Sequence, residues 1–171
     1  MNTTNRDLFS LDPFASPHKL DRELYSLLAQ ASSNLCDWFA ESGSQAPLPD
    51  SVDLPEVYPA KEGVPNSVLL SELELLMNGA YRPSHPGSLA HLDPPPLSAS
   101  IVGDLICAGL NNNLLADELS PSLSSLERNL CKWFCKRLGL GDLSGGVAAS
   151  GGSISNLMAL VMARNIAGLE S

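Results

Sequence analysis

The sequence contains no apolar run of 18 residues, so no stretch of it is long enough to cross a bilayer as a helix. Its opening, MNTTNRDLFSLDPF, lacks the basic stretch and apolar core of a secretory leader. Basic residues are scarce: 10 against 19 acidic ones, for a net charge of -9. That deficit excludes nucleic acid and anionic membrane as partners, because binding phosphate arrays needs a basic surface. Cysteine is sparse too. Cys36, Cys107, Cys131 and Cys135 are scattered rather than framework-spaced. Cys131 and Cys135 share a helix face, but two further ligands at metal-binding spacing are missing nearby. The four thiols are therefore expected to be small buried hydrophobes in a reducing, cytoplasmic setting.

What remains is globular in composition, with 171 residues, 44% hydrophobic and 17% charged. Four or five helices are expected. Apolar residues at Leu20, Leu24, Leu27, Leu28, Ala31, Leu35, Trp38 and Phe39 repeat with a helical period over 20–39. Residues 41–65, rich in Pro, Gly, Ser and acids, read as an exposed connector. A second helix spans about 67–78 and stops at Gly79. Five prolines between 81 and 96 exclude helix and central strand. Ser98 then caps a helix that ends at Asn111-Asn112-Asn113. After an irregular crossing over 114–121, a fourth helix runs to Leu138 and Gly139. Ser124 and Glu127 there resemble a capping box. Arg128, Lys132 and Lys136 along it read as a solvated face. A short strand at 147–149 leads through a turn into a final helix from Ile154.

That turn, Ser150-Gly151-Gly152-Ser153, carries the most chemistry. A strand–turn–helix junction aims free backbone N–H groups, hydroxyls and the positive helix end at one place, which suits an anion. Glycines at 151 and 152 permit close approach, and Ser153 is expected to cap the helix. The turn has no lysine, which excludes a Walker-type loop, and it does not follow the Gly-x-Gly-x-x-Gly dinucleotide pattern. A tight connection without a ligand is the competing reading.

Four segments in order are similar to the group II pyridoxal-phosphate-dependent decarboxylases, which act on glutamate, aromatic amino acids, cysteine sulfinate or 2,4-diaminobutyrate. They are His85-Pro86-Gly87; Asp93-Pro94-Pro95-Pro96; the stretch from Asn111 to Glu127, with Leu119-Ser120-Pro121 and Leu126-Glu127; and Gly146 to Arg164, with the Ser-Gly-Gly-Ser turn, Asn156 and Ala163-Arg164. The Asn-Asn-Asn and Asp-Pro-Pro-Pro details look most like the diaminobutyrate branch. The resemblance covers most of residues 67–171.

It implies an α/β fold of the type I pyridoxal-phosphate class when complete, and a mostly helical chain with little sheet for the residues given. Residues 1–95 would be a helical segment with Pro-rich connectors, serving dimerisation and the substrate side. Residues 96–171 would begin the large cofactor domain. Ser150, Gly151, Gly152 and Ser153 would hold the phosphate of pyridoxal phosphate. His91 and Leu92 would lie on the substrate side, and Asn113 and Leu115 on a crossing that reaches the partner subunit of a homodimer. A surface position for His91 and a core position for Leu115 are the competing readings. The activity implied is decarboxylation of an amino acid to an amine and carbon dioxide. The family's Schiff-base lysine, ring-nitrogen aspartate and stacking histidine fall beyond the phosphate turn. Lys19, Lys61, Lys132 and Lys136 match none of these positions, so no catalytic residue is expected here and the 171 residues alone should be inactive. The apolar faces left uncovered would favour association. A truncated remnant acting as a helical interaction module is the alternative. An aminotransferase or desulfurase of the same fold is weaker, because the His-Pro and Ser-Pro segments speak against it.

Overall fold

The structure is a computed structural model that describes residues 14–50, 53–54, 63–89, 92 and 94–168. Among the described residues there are five helices and no strand: α1 (Arg22–Glu41), α2 (Asn66–Asn78), α3 (Ser98–Leu110), α4 (Pro121–Arg137) and α5 (Gly152–Ile166). The chain divides into two compact units, Met1–Leu97 and Ser98–Ser171.

In the first unit, α1 starts where Asp21 accepts the Leu24 amide at 3.0 Å and the Ser16 amide at 3.3 Å. This is side-chain capping of orphan helix donors. Leu24, Leu27, Ala31, Leu35, Trp38 and Phe39 are its half-buried residues on the expected stripe, and Leu28 of that stripe is exposed. α1 packs on α2. The start of α1 (Glu23, Leu27, Gln30) shares a cleft with the start of α2 (Asn66, Leu70). Its end (Trp38, Glu41) shares one with the end of α2 (Glu74, Asn78). The two helices therefore run side by side in the same direction. Such a pair needs a connector that travels back along α1, about 30 Å for its 20 residues. The sequence between α1 and α2 is 24 residues long, of which 51–52 and 55–62 lie outside the described residues.

Arg82 then returns the chain to the end of α1. It is only 4% exposed. Its Nη1 donates to Trp38 O at 2.9 Å and to Ser42 Oγ at 3.5 Å, and its guanidinium lies 4.7 Å from the centre of the Trp38 ring. Its amide donates to Pro47 O at 2.9 Å. The turns that follow carry His85, whose Nδ1 accepts the Gly87 amide at 2.8 Å, and Tyr81, whose hydroxyl bonds that of Ser88.

In the second unit, α3 counts Ser98 as its first helical residue and ends at Asn111, which takes a left-handed φ of 46°. α4 begins with Ser120 at the N-cap and Pro121 just inside, the position that suits proline. It closes in a Schellman arrangement. The Leu140 amide reaches Cys135 O at 3.0 Å and the Gly139 amide reaches Lys136 O at 3.2 Å. Gly139 supplies the φ of 72° that this closure needs.

Several expectations are corrected. Ser124 and Glu127 form no capping box, because Pro121 starts α4 one turn earlier and leaves Ser124 inside it. Residues 147–149 are extended but form no strand, having no neighbouring strand among the described residues to pair with. Ser153 does not cap α5: the helix starts at Gly152, so Gly151 takes the cap position and Ser153 falls inside the first turn. Of the four cysteines only Cys135 is buried, while Cys36 and Cys107 are exposed and Cys131 is intermediate. For Cys107 and Cys131, both in the second unit, the reason is common to that unit. Among the described residues α3, α4 and α5 do not contact one another, so their apolar faces stay open. Leu105, Ile106, Leu130, Trp133, Leu157 and Leu160 are all exposed.

Candidate functional site

After α4, the chain doubles back through a turn at 141–144 and runs extended along one side of that helix. Two contacts fix this run. A Cβ added at Gly146 would lie 3.3 Å from Cys131 Cβ and 3.5 Å from its Sγ, so the backbone at Gly146 lies against α4 where a side chain would crowd. One helical turn earlier on the same face, Glu127 Oε1 accepts the Ala148 amide at 2.7 Å. Glu127 and Cys131 thus hold the approach to Ser150 from both ends of a short stretch.

The turn itself opens onto the start of α5. The first bonds of that helix are made by Ser155, whose amide and hydroxyl both reach Gly151 O, at 3.0 and 3.1 Å. The amides of Gly152, Ser153 and Ile154 precede that bond, and no side chain caps the helix. No acidic residue stands in the first turn to compete for them. Ser150 and Ser153 are exposed beside these amides.

The two glycines are informative because the protein's own structure does not need them. Gly151 has φ 165° and ψ 172°, extended backbone open to any residue. Gly152 is already helical. A Cβ at either would meet nothing within 4 Å. Neither backbone strain nor internal packing explains the pair. Three open amides, two exposed hydroxyls and an uncrowded backbone stand together at a positive helix end, a chemistry that suits a small anion.

The remaining expected site residues fall in both units. Leu92 is exposed in the first unit, and His91 lies outside the described residues. In the second unit, Asn113 Oδ1 accepts the Leu115 amide at 3.0 Å, a local turn that presents Leu115 almost fully to solvent. The core position for Leu115 is therefore not what these residues show. Arg128 pairs with Asp117 at 2.9 Å on the surface. Its guanidinium, first by hydrogen bonding and then by charge, holds the Asp117 carboxyl below the usual aspartate range. Sequence reasoning gave Glu127 a capping role rather than this one, and missed Arg82. Their partners lie 21 and 44 residues away, and no local pattern announces a contact at that distance. Among the described residues no cluster of His, Cys, Asp or Glu could hold a metal ion, and no helix is long and apolar enough to cross a membrane.

The model of the pyridoxal-dependent decarboxylase conserved domain matches residues 51–168. The chain is 34% identical over 108 residues to an L-2,4-diaminobutyrate decarboxylase of Acinetobacter baumannii, covering 63% of this chain and 21% of that protein. It is 33% identical over 115 residues to a glutamate decarboxylase-like protein of Gibberella zeae, covering 67% and 22%. A third relative, an aromatic-L-amino-acid decarboxylase of Bacillus atrophaeus, is 29% identical over 111 residues, covering 65% and 23%. The chain spans about a fifth of the length of these relatives.

Proposed function

The chain belongs to the pyridoxal-dependent decarboxylase family, and from that premise we propose that residues 150–153 hold the cofactor phosphate of an amino-acid carboxy-lyase. The observation that carries this reading is the pair of glycines that the protein's own backbone and packing leave unexplained, beside three amides without a cap. The residues fit the phosphate end of pyridoxal phosphate. Gly152, Ser153 and Ile154 donate amides, Ser153 adds its hydroxyl, and Ser150 and Gly151 shape the loop. The helix end adds a favourable field of about 0.3–1 kcal/mol for an exposed anion. When bound, pyridoxal phosphate supplies an electron sink for the bond to the departing carboxylate.

The whole enzyme is proposed to have the type I α/β fold and to work as a cytoplasmic homodimer that releases an amine and carbon dioxide. His91 and Leu92 would face the substrate side chain, and Asn113 and Leu115 the partner subunit. The relatives carry three different decarboxylase names, for L-2,4-diaminobutyrate, for a likeness to glutamate decarboxylase and for aromatic L-amino acids, so the proposal stops at the class. The 171 residues by themselves are proposed to bind phosphate without forming amine, since Lys19, Lys61, Lys132 and Lys136 lie outside the family's lysine context.

Calorimetric titration of the chain and of Gly152→Ala with pyridoxal phosphate tests this. Alanine at the first helical position, with open space around it, should leave the helical signal intact. Affinity should nonetheless fall roughly tenfold, as the methyl group intrudes on a charge-assisted hydrogen bond. Equal affinity for both proteins would refute the reading and favour the alternative, a helical interaction module resting on the open apolar faces of α3 and α5.

A further inference from the structure

The extended run before the turn raises a physical problem. A segment leading into an anion cradle must be held in place, yet residues 145–149 have no neighbouring strand among the described residues to hold them. The side chain that reaches them comes from α4. Glu127 Oε1 accepts the Ala148 amide at 2.7 Å, two residues before Ser150, at the short end for a hydrogen bond to a carboxylate. One helical turn further along α4, the backbone at Gly146 rests on Cys131. Both anchors sit on one face of α4, so the run has a defined height along that helix and a defined distance from it.

We propose that Glu127 is a positioning residue for the phosphate turn. Its carboxylate clamps the Ala148 amide and so fixes where the amides of Gly152, Ser153 and Ile154 converge. The inference rests on residues 150–153 being the phosphate site. The reach of the side chain, rather than its charge, performs this role. Glutamine keeps an acceptor oxygen at the same length and substitutes for it. Aspartate keeps the charge, but its oxygens stop one methylene short. The negative charge at 127 is, if anything, unfavourable to a nearby phosphate, so its removal with the acceptor retained does not weaken binding.

The test uses the full 171-residue chain and its Glu127→Gln, Glu127→Asp and Glu127→Leu variants. Two quantities are measured on each: the amide resonance of Ala148, and the affinity for pyridoxal phosphate with inorganic phosphate as a second probe. Helical content by circular dichroism serves as the control for folding. The expected pattern is a downfield Ala148 amide and unchanged or tighter binding in Glu127→Gln. Glu127→Asp and Glu127→Leu should show an upfield Ala148 amide and roughly tenfold weaker binding, with helix content retained. A general loss of stability would not sort glutamine from aspartate in this way.

Equal affinity in all four proteins overturns the proposal, as does an Ala148 resonance indifferent to Glu127→Leu. Weakened binding in Glu127→Gln equal to that in Glu127→Asp also overturns it. If the unsubstituted chain binds neither probe, the phosphate reading itself has failed and the positioning role falls with it. A responsive Ala148 amide would then show the Glu127 contact to be purely structural.

Discussion

Arg82 is the residue on which the first unit turns. A guanidinium this buried must have partners, and these are a main-chain carbonyl, a hydroxyl and an indole face rather than a carboxylate. The planar, stacking character of arginine suits that set, and a lysine ammonium could not reproduce it. We expect Arg82→Lys and Arg82→Ala alike to destabilise the first unit by about 2 kcal/mol, the scale of a lost hydrogen bond to a charged group. Chemical denaturation of each variant measures this. A lysine variant as stable as the parent would contradict the stacking argument. The same substitutions should loosen the turn carrying His85 and Pro86, since the Arg82 side chain ties the root of that turn to Trp38 and Ser42, and the His85 amide donates to Arg82 O. None of this was visible in the sequence, where Arg82 is the one arginine in a proline-rich stretch.

Among the elements, helices were the legible part. Stripes of leucine with a 3.6-residue period and stops at Gly79, Asn111 and Gly139 placed all five, and each boundary shift was small. The exceptions share one cause: the sequence shows local pairing rules, not which partner wins. Ser124 and Glu127 have capping-box spacing, but a proline one turn earlier started the helix and freed Glu127 for Ala148. Residues 147–149 have strand composition, but a strand exists only with a neighbour. α1 offers a clean test of capping. The Leu24 amide, then the Ser16 amide, hold the Asp21 carboxyl below the usual aspartate range. A carboxyl depressed by folding stabilises the folded form above its unfolded value near 4 and loses that contribution as pH falls through the lower folded value. The start of α1 should therefore fray on acidification below about pH 4, whereas Asp21→Asn, still a good cap, should remove most of that dependence. Helicity followed by circular dichroism from pH 6 to 2 decides it. Identical acid profiles for the two proteins would count against the cap.

For the whole molecule, the chain carries the proposed anion cradle on a unit whose helices leave much apolar surface open. The turn was legible as a candidate because serine and glycine leading into a helix have few physical uses. The substrate side was not, because His91, Leu92, Asn113 and Leu115 acquire meaning only from surroundings that these residues do not supply. The central claim is that the start of α5 receives the phosphate of pyridoxal phosphate. The most direct measurement is a titration of the isotope-labelled chain, following the amides of Gly152, Ser153 and Ile154. Pyridoxal phosphate and inorganic phosphate should both shift these resonances saturably, while pyridoxal without its phosphate should not. Resonances at 152–154 that stay fixed while the cofactor binds elsewhere, or that respond equally to pyridoxal, would contradict the account.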